Sequence, residues 1–311
     1  MATSQTSKKV VQSDVAPKES DAKWQPSAAD RATANKYRYI AAAFWLVAIA
    51  VECVVIFGLL LAKPFSSSTQ GGDAVTVYPF FGTTIQQTAY FVWIIALIIV
   101  CGVLAIIGSQ FWKKANRMDP ASEKEKVRFF VQNQLGAIIS LVAFIPLVIL
   151  VLMNKNLKGS QKGVASGIAI VVLLAAVLAG IEYSPVSSES LGSQQALVIA
   201  YNQAMGTGNG DMVFWVKGSK VYHLCDDASA LNMTSQDMNI YSGTVSQANG
   251  AGLPRLALTN ECNFKPDVTT DADGNKTVHG GTVTLPDNTT VAITDGGDVT
   301  TPTETPTDTP S

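Results

Sequence analysis

The chain has 311 residues, of which 47% are hydrophobic and 15% charged, with a formal net charge of -2 and four cysteines. Four cysteines are too few for a disulfide framework and allow at most one bridge or one sparse metal site. The near-zero charge hides an asymmetry, because residues 1–38 carry seven Lys and Arg against four Asp and Glu, whereas the residues after Tyr183 carry five against fourteen. This acidic C-terminal part argues against nucleic-acid binding, which needs Lys and Arg for phosphate contacts.

Residues 1–38 contain almost no large apolar side chains. Such a segment cannot bury enough surface to offset the entropy of ordering, so we predict a disordered cytoplasmic tail. Residues 1–35 also lack the apolar core of a cleavable signal peptide. The first apolar run is therefore expected to be a membrane anchor.

Four long apolar runs occupy the region 39–183. At about 1.5 Å per helical residue, each run is long enough to cross a hydrocarbon core of roughly 30 Å. The predicted spans cover residues 40–62, 89–111, 135–153 and 163–181. The fold class is thus a membrane α-helical protein with four transmembrane helices, a small C-terminal α+β module, and disordered N- and C-terminal tails.

The basic residues predict how these spans are oriented in the membrane. The linker after the second span contains six of them, namely Lys113, Lys114, Arg117, Lys124, Lys126 and Arg128. The positive-inside rule makes this linker and the N-terminus cytoplasmic. Four crossings then place the C-terminal module in the cytoplasm as well. Three lysines in the turn after the third span and a Thr-Pro-rich tail favour the opposite side, which would require three crossings.

The polar remainder of the chain divides into a module over 184–264 and a Thr/Asp/Pro-rich low-complexity tail over 265–311. Turn residues and apolar alternation predict the elements of the module. These are a helix over 194–205, two strands over 212–216 and 220–224 joined by Gly218-Ser219, and a short helix over 245–249 capped by Thr244. In the tail, residues 282–293 are compatible with one isolated hairpin.

A block in this module reads VFWVKGSKVYHLCDDASALN from Val213 and IYSGTVSQANGAGLPRLALTNEC from Ile240. The Tyr-His pair, the following Cys, the Gly-Thr-capped helix and the closing Cys resemble the zinc-binding unit of the Ada DNA-repair family. The chain also resembles bacterial multi-pass membrane proteins of unknown function that carry such a unit, and this resemblance implies a bacterial plasma membrane. The resemblance covers about fifty residues and implies zinc held by His223, a nearby cysteine and closing cysteines.

Most of the ligands that this resemblance implies are lost. Ala228 stands where the first Cys is expected, and Ala257 stands where a closing Cys would follow. The soft ligands that remain are His223, Cys225 and Cys262. A structural zinc needs four ligands, and Asp226 or Asp227 is the candidate for the fourth.

The two cysteines of the module have three possible states, namely metal-bound, free and bridged. A disulfide between Cys225 and Cys262 would close a loop of about 37 residues and contribute roughly 4 kcal/mol in the chain-entropy model. That bridge is expected if the module faces an oxidising compartment, whereas reduced thiols are expected in the cytoplasm.

Glu52 is the most costly residue of the first span, because a carboxylate at mid-depth costs a few kcal/mol on insertion scales. Intramembrane carboxylates are functional candidates by default. A proton or cation relay would need a second polar partner at similar depth, and the spans offer only Ser140 and the thiols of Cys53 and Cys101. Because none of these is a basic or acidic side chain, the favoured alternative is a structural Glu52 that is protonated or faces water.

No catalytic motif stands out in the chain, so we predict that the protein is not an enzyme and needs no cofactor. The leading hypothesis is an integral membrane protein that presents a small module for binding a protein partner or for sensing. One alternative is a small transporter or channel subunit that uses Glu52, and the other is a zinc-binding membrane module. The lipid bilayer is the second expected partner.

Overall fold

A computed structural model of the chain describes Trp24 and residues 26–68, 74–233, 237–270, 276–294, 297, 299 and 300. The chain divides into two compact units. The helical unit consists of Thr33–Asn116 and Lys126–Pro185, and the mixed unit consists of Met1–Ala32, Arg117–Glu125 and Val186–Ser311. The mixed unit is therefore assembled from three parts of the chain that are far apart in sequence.

Four helices are long and apolar enough to cross a membrane, in agreement with the four predicted spans. They are α1 (Ala28–Cys53), which continues into a π-helical segment (Val54–Leu60), α2 (Gln87–Met118), α3 (Lys126–Met153) and α4 (Gly159–Gly180). Pro146 lies inside α3, and the helix continues through it.

Helix α1 begins at Ala28, twelve residues before the predicted span, so the prediction of disorder over 1–38 was wrong for residues 28–38. Residues 1–23 and 25 lie outside the described part of the chain. Ser27 caps the helix: its Oγ accepts from the Asp30 amide at 3.0 Å and donates to Asp30 Oδ2 at 2.8 Å. A capped start satisfies orphan amides and stabilises a helix by roughly 1 kcal/mol.

The outward faces of these helices are apolar. Side chains such as Leu46, Phe57 and Val142 are exposed, as lipid-facing residues would be. Helices α3 and α4 approach closely at glycine, because a Cβ on Gly180 would lie 2.6 Å from the carbonyl carbon of Gly136. Small residues at membrane-helix interfaces permit this kind of backbone approach.

A three-stranded antiparallel sheet lies between α1 and α2 in sequence. It contains β1 (Phe65–Ser68), β2 (Ala74–Phe80) and β3 (Thr83–Gln86), with β2 in the middle. The β2–β3 turn has Phe81 at φ 45° and Gly82 at φ 81°. Two consecutive left-handed residues are typical of a tight hairpin turn of type I′.

The mixed unit contains three short helices and six strands in its described residues. In chain order these are α5 (Ser188–Ala204), β4 (Met212–Val216), α6 (Ser229–Met233), β5 (Ile240–Thr244), α7 (Val245–Gly250), β6 (Phe264–Thr270), β7 (Lys276–Thr284), β8 (Thr290–Thr294) and β9 (Val299–Thr300). Strands β4 and β5 pair antiparallel, and β6–β9 form a second sheet in sequence order. The predicted strand over 220–224 is reduced to isolated bridges, including one between Phe214 and His223.

The prediction of a low-complexity tail over 265–311 was wrong for the described residues of this region, which form β6–β9. The hairpin that the sequence suggested over 282–293 is present, as the antiparallel pair β7–β8. The physical reason is alternate burial: Val291 and Ile293 of β8 are buried and join Phe264 and Val283 in one core with α5. Residues 271–275 and 301–311 lie outside the described part of the chain. The folded module therefore extends to Thr300 instead of ending at 264.

The N-terminal segment belongs to the core of the mixed unit. Trp24 is buried and packs against α5, where a Cβ on Gly192 would lie 2.8 Å from the Trp24 amide nitrogen. Asp30 is 2% exposed, and its carboxylate accepts hydrogen bonds from Thr244 Oγ1 at 3.0 Å and Gln247 Nε2 at 2.9 Å. Residues more than 200 positions apart thus share one hydrogen-bonded cluster.

The α2–α3 linker is bound to the same unit by Glu189 of α5. The Glu189 carboxylate accepts hydrogen bonds from Ser122 Oγ and, at 3.0 Å, from the Glu123 amide. Partial burial alone would raise the pKa of Glu189, but these hydrogen bonds to the carboxylate outweigh it and lower the pKa below its ordinary value. A second contact joins Ser246 Oγ to the Met118 carbonyl at 2.8 Å.

Candidate functional site

The mixed unit contains a cleft of about 600 Å³. Apolar side chains form part of its lining: Met205, Met212, Phe214 and Leu224. Three carboxylates also line it, from Asp226, Asp227 and Glu261. A cavity of this size falls within the range of ordinary ligand sites, which combine apolar walls with a few polar groups.

A disulfide between Cys225 and Cys262 forms one wall of this cleft, with the two Cα atoms 5.6 Å apart. Cys225 follows the bridge in which the backbones of His223 and Phe214 exchange hydrogen bonds of 2.7 and 2.9 Å. Cys262 and Asn263 are both left-handed, with φ 57° and 54°. The disulfide therefore connects the tight turn before β6 to the layer that contains β4.

His223 lies beneath this turn and contacts Glu261. Its Nδ1 is 2.5 Å from Glu261 Oε1, and the histidine is 3% exposed. Glu261 Oε1 also accepts a hydrogen bond from Thr259 Oγ1 at 3.1 Å. These contacts fix the position of the glutamate beside the disulfide, and they occupy one of the two ring nitrogens of His223.

Tyr201 of α5 supports the turn from the other side. Its hydroxyl donates a hydrogen bond of 2.8 Å to the Cys262 carbonyl. Burial and the negative charge of Asp227 raise the pKa of Tyr201 to about 12. The phenol therefore stays protonated near neutral pH and keeps its role as the donor to the turn.

The predicted metal ligands do not assemble as expected. Potential ligand atoms of Cys225, Asp227 and Cys262 lie within 4.8 Å of one another, but His223 is not in this group. A structural zinc binds deprotonated cysteines in a set of four ligands. Because the two sulfurs are bonded to each other here, these residues do not fit a structural zinc site in this state.

The intramembrane candidate Glu52 lies in the helical unit, where it is 6% exposed. It faces the interior, together with Ala48 one turn before it. Of the polar groups we expected beside it, Ser140 Oγ donates to the carbonyl of Gly136 in its own helix at 2.8 Å. Cys53 is exposed, and Cys101 Sγ donates to the Ala48 carbonyl at 3.3 Å.

Two residues of the cleft, Tyr201 and Glu261, were not among the predicted site residues. No feature of the sequence marked Tyr201 as a site residue, because a tyrosine in a short helix is usually part of the packed core. The only clue for Glu261 was its position directly before Cys262. Comparisons with protein-family models, with curated proteins and with solved structures found no match. The site is therefore interpreted from its own chemistry.

Proposed function

We propose that the protein is an integral membrane protein whose mixed unit binds a basic segment of a partner protein in the disulfide-walled cleft. The observation that carries this proposal is the combination of an apolar lining with carboxylates. Lys and Arg have apolar stems and charged ends, so they suit a site that offers both surfaces. We propose a binding role without catalysis.

The charge of the surroundings supports a cationic partner. The residues after Tyr183 carry five basic against fourteen acidic side chains. Asp226 and Asp227 are exposed, so they remain accessible to a ligand and contribute to attraction at a distance. Complementary charge of this kind increases association rates and specificity more than it increases affinity.

We propose that the mixed unit lies on the cytoplasmic side of a bacterial plasma membrane. Its parts precede the first candidate span, separate the second from the third, and follow the fourth. If each helix crosses once, all these parts lie on one side. The same side then holds the basic residues of the N-terminus and of the α2–α3 linker, which favour the cytoplasm.

A cytoplasmic location would give the Cys225–Cys262 pair a sensing role. Cytosolic disulfides in most organisms are transient and either catalytic or redox-sensing. Reduction of the bridge by a cellular dithiol would yield two thiols and a disulfide on the reductant, and would release the turn that forms one wall of the cleft. Binding and redox state would then be coupled in one small unit.

A photo-crosslinking experiment tests the binding proposal. A photoreactive amino acid at Ser229, an exposed cleft residue, is expected to form a covalent adduct with a partner protein in the native cells. Asp226→Asn combined with Asp227→Asn should lower adduct formation by roughly threefold to thirtyfold, as two exposed ion pairs of up to about 1 kcal/mol each would.

The matched control places the same photoreactive residue at Thr290, which is exposed on β8 and does not line the cleft. Adduct at Thr290 equal to that at Ser229, or adduct that is insensitive to the two aspartate substitutions, would contradict the proposal.

Thiol labelling tests the proposed side of the membrane, in a Cys53→Ser/Cys101→Ala background. Cys225 and Cys262 should not react with an impermeant maleimide in intact cells, with or without an impermeant phosphine reductant, and should react after lysis in the presence of that reductant. As a control, Thr83→Cys with the four native cysteines replaced puts a thiol in the exposed β2–β3 hairpin and should react in intact cells. Reaction of Cys225 and Cys262 in intact cells after reduction would place the mixed unit outside.

A further inference from the structure

Glu52 lies on the buried stripe of α1 and the segment that follows it. Ala48, Glu52, Val55 and Leu59 recur at helical spacing and are 4%, 6%, 0% and 0% exposed. This spacing places them on one face, and that face belongs to the core of the helical unit. The carboxyl group is therefore directed away from the lipid-facing surface and into the bundle.

The carboxyl group of Glu52 makes no hydrogen bond to any described residue. The titratable group that faces it is the Cys101 thiol of α2, which donates to the Ala48 carbonyl at 3.3 Å. The membrane portions of α3 and α4, over 135–153 and 163–181, contain no Asp, Glu, Lys, Arg or His. An unpaired buried carboxylate is strongly unfavourable, and no described base is present to pair with it.

Binding of a proton removes this charge, whereas binding of a metal cation would need more ligands. Hard cations take several oxygen ligands, but the residues beside Glu52 on the stripe, Ala48 and Val55, are apolar. The hydrogen of the Cys101 thiol is already donated to a carbonyl oxygen. A neutral carboxylic acid needs only one additional atom, the proton, so the surroundings favour a proton over Na⁺.

The segment after Glu52 connects it to a polar cluster at the end of the helices. Residues Val54–Leu60 form a π-helix, a rare conformation that is frequent at functional sites. At its end, Tyr90 Oη donates to the Leu59 carbonyl at 3.1 Å, and Asn154 Nδ2 donates to the Leu60 carbonyl at 3.0 Å. Leu59 is seven residues after Glu52, or roughly 10 Å along the helix axis.

We propose that Glu52 is an intramembrane proton-binding site, separated from the Tyr90–Asn154 cluster by the apolar side chains of the π-helical segment. The proton adds to one carboxylate oxygen and leaves from the same oxygen, with no other bond changed. This site is independent of the cleft in the mixed unit, so either proposal can fail without the other.

Carbodiimide labelling of the full-length protein in lipid nanodiscs tests this site. Dicyclohexylcarbodiimide enters apolar regions and reacts with protonated carboxyl groups, so it should modify Glu52, as mapped by peptide mass spectrometry. Labelling should decrease as the pH is raised from mildly acidic to alkaline. A water-soluble carbodiimide with an amine nucleophile should leave Glu52 unmodified.

Three variants and one ion complete the test. Glu52→Gln should abolish the adduct, Glu52→Asp should retain it, and Glu123→Gln, at an exposed linker residue, should leave it unchanged. Absence of an adduct at Glu52 at every pH, in protein that still elutes as a folded particle, would overturn the proposal. Protection of Glu52 by Na⁺ but not by choline at equal ionic strength would also overturn it, because it would show a cation site.

Discussion

Removal of the Cys225–Cys262 bridge is expected to lower the free energy of unfolding of the mixed unit by about 4 kcal/mol. The bridge joins residues 37 positions apart, and closing a loop of that length restricts the unfolded chain by roughly this amount. Pulse proteolysis of the full-length Cys225→Ser/Cys262→Ser variant in detergent should show this change. The urea midpoint of its C-terminal region should fall by about 2 M, for a denaturant dependence of about 2 kcal/mol/M.

The wild-type protein provides the internal control for this experiment. Treatment with a phosphine reductant should reproduce the shift in the wild-type protein and should leave the double variant unchanged. Cys53→Ser, at an exposed cysteine outside the mixed unit, should have the wild-type midpoint. Equal midpoints for oxidised and reduced wild-type protein would show that the bridge contributes nothing to stability.

The stabilisation by the Cys225–Cys262 disulfide would also link the redox state of the bridge to partner binding in the cleft. The turn with Cys262 forms part of the cleft wall, and without the disulfide it is supported by the Tyr201 hydroxyl and by Glu261. Reduction should therefore change the shape of the cleft before it unfolds the unit. The adduct at Ser229 and the urea midpoint would then respond to the same redox treatment.

Asp30→Ala is expected to destabilise the mixed unit by about 2 to 4 kcal/mol. Its buried carboxylate accepts hydrogen bonds from Ser27, Thr244 and Gln247. Hydrogen bonds to a charged group contribute about 1.5–3 kcal/mol each, and donors left unpaired after truncation add to the cost. Pulse proteolysis of the full chain over a urea series gives the measurement.

The loss of stability in Asp30→Ala is partly offset at Asp211, because removing the negative charge of Asp30 removes its repulsion of the Asp211 carboxylate. Burial raises the pKa of Asp211 above its ordinary value of 3.8, a hydrogen bond from Gln195 opposes this, and the negative charge of Asp30 raises it further. The folded state therefore binds the Asp211 proton more tightly than the unfolded state does. This contribution to stability is fully present below the ordinary pKa and is lost as the pH rises through the raised folded value.

Two control variants separate the hydrogen bonds of Asp30 from the effect of the charge at Asp211. Asp211→Asn keeps an acceptor for Gln195 and removes the charge, so it should slightly stabilise the unit at neutral pH and reduce its loss of stability between acidic and neutral pH. Asp267→Ala, at an exposed position of β6, should have no effect. If Asp30→Ala were as stable as Asp267→Ala, the N-terminal segment would not be part of the folded unit.

Some elements of the mixed unit could be predicted because their signals are local. Strand β4 matches the predicted residues 212–216, and α7 follows a threonine cap in which Thr244 Oγ1 accepts from the Gln247 amide at 3.1 Å. The prediction failed where partners are distant. The region from residue 265 onwards was predicted to be a low-complexity tail with one isolated hairpin, whereas its described residues become ordered by packing Val291 and Ile293 into a core built by α5.

The candidate site, too, could be predicted only in part. The sequence identified Cys225, Cys262 and His223 as neighbours of interest, but it left the state of the cysteines open between bridged, free and metal-bound. The contact of His223 with Glu261 and the hydrogen bond from Tyr201 to Cys262 depend on how β4, α5 and the turn meet. Spacing along the chain contains no information about that geometry.

By itself, the sequence determined the four apolar helices, because a run of about twenty apolar residues has one stable arrangement in a bilayer. It also identified Glu52 as a candidate, because a carboxylate is energetically costly inside a bilayer. Only the tertiary structure decided that Asp30, the α2–α3 linker and the C-terminal strands build one unit, with Asp30 and Thr244 in contact across 214 positions. Contacts over such separations arise from folding in three dimensions, whereas the hydrogen bonds of a helix join residues four positions apart.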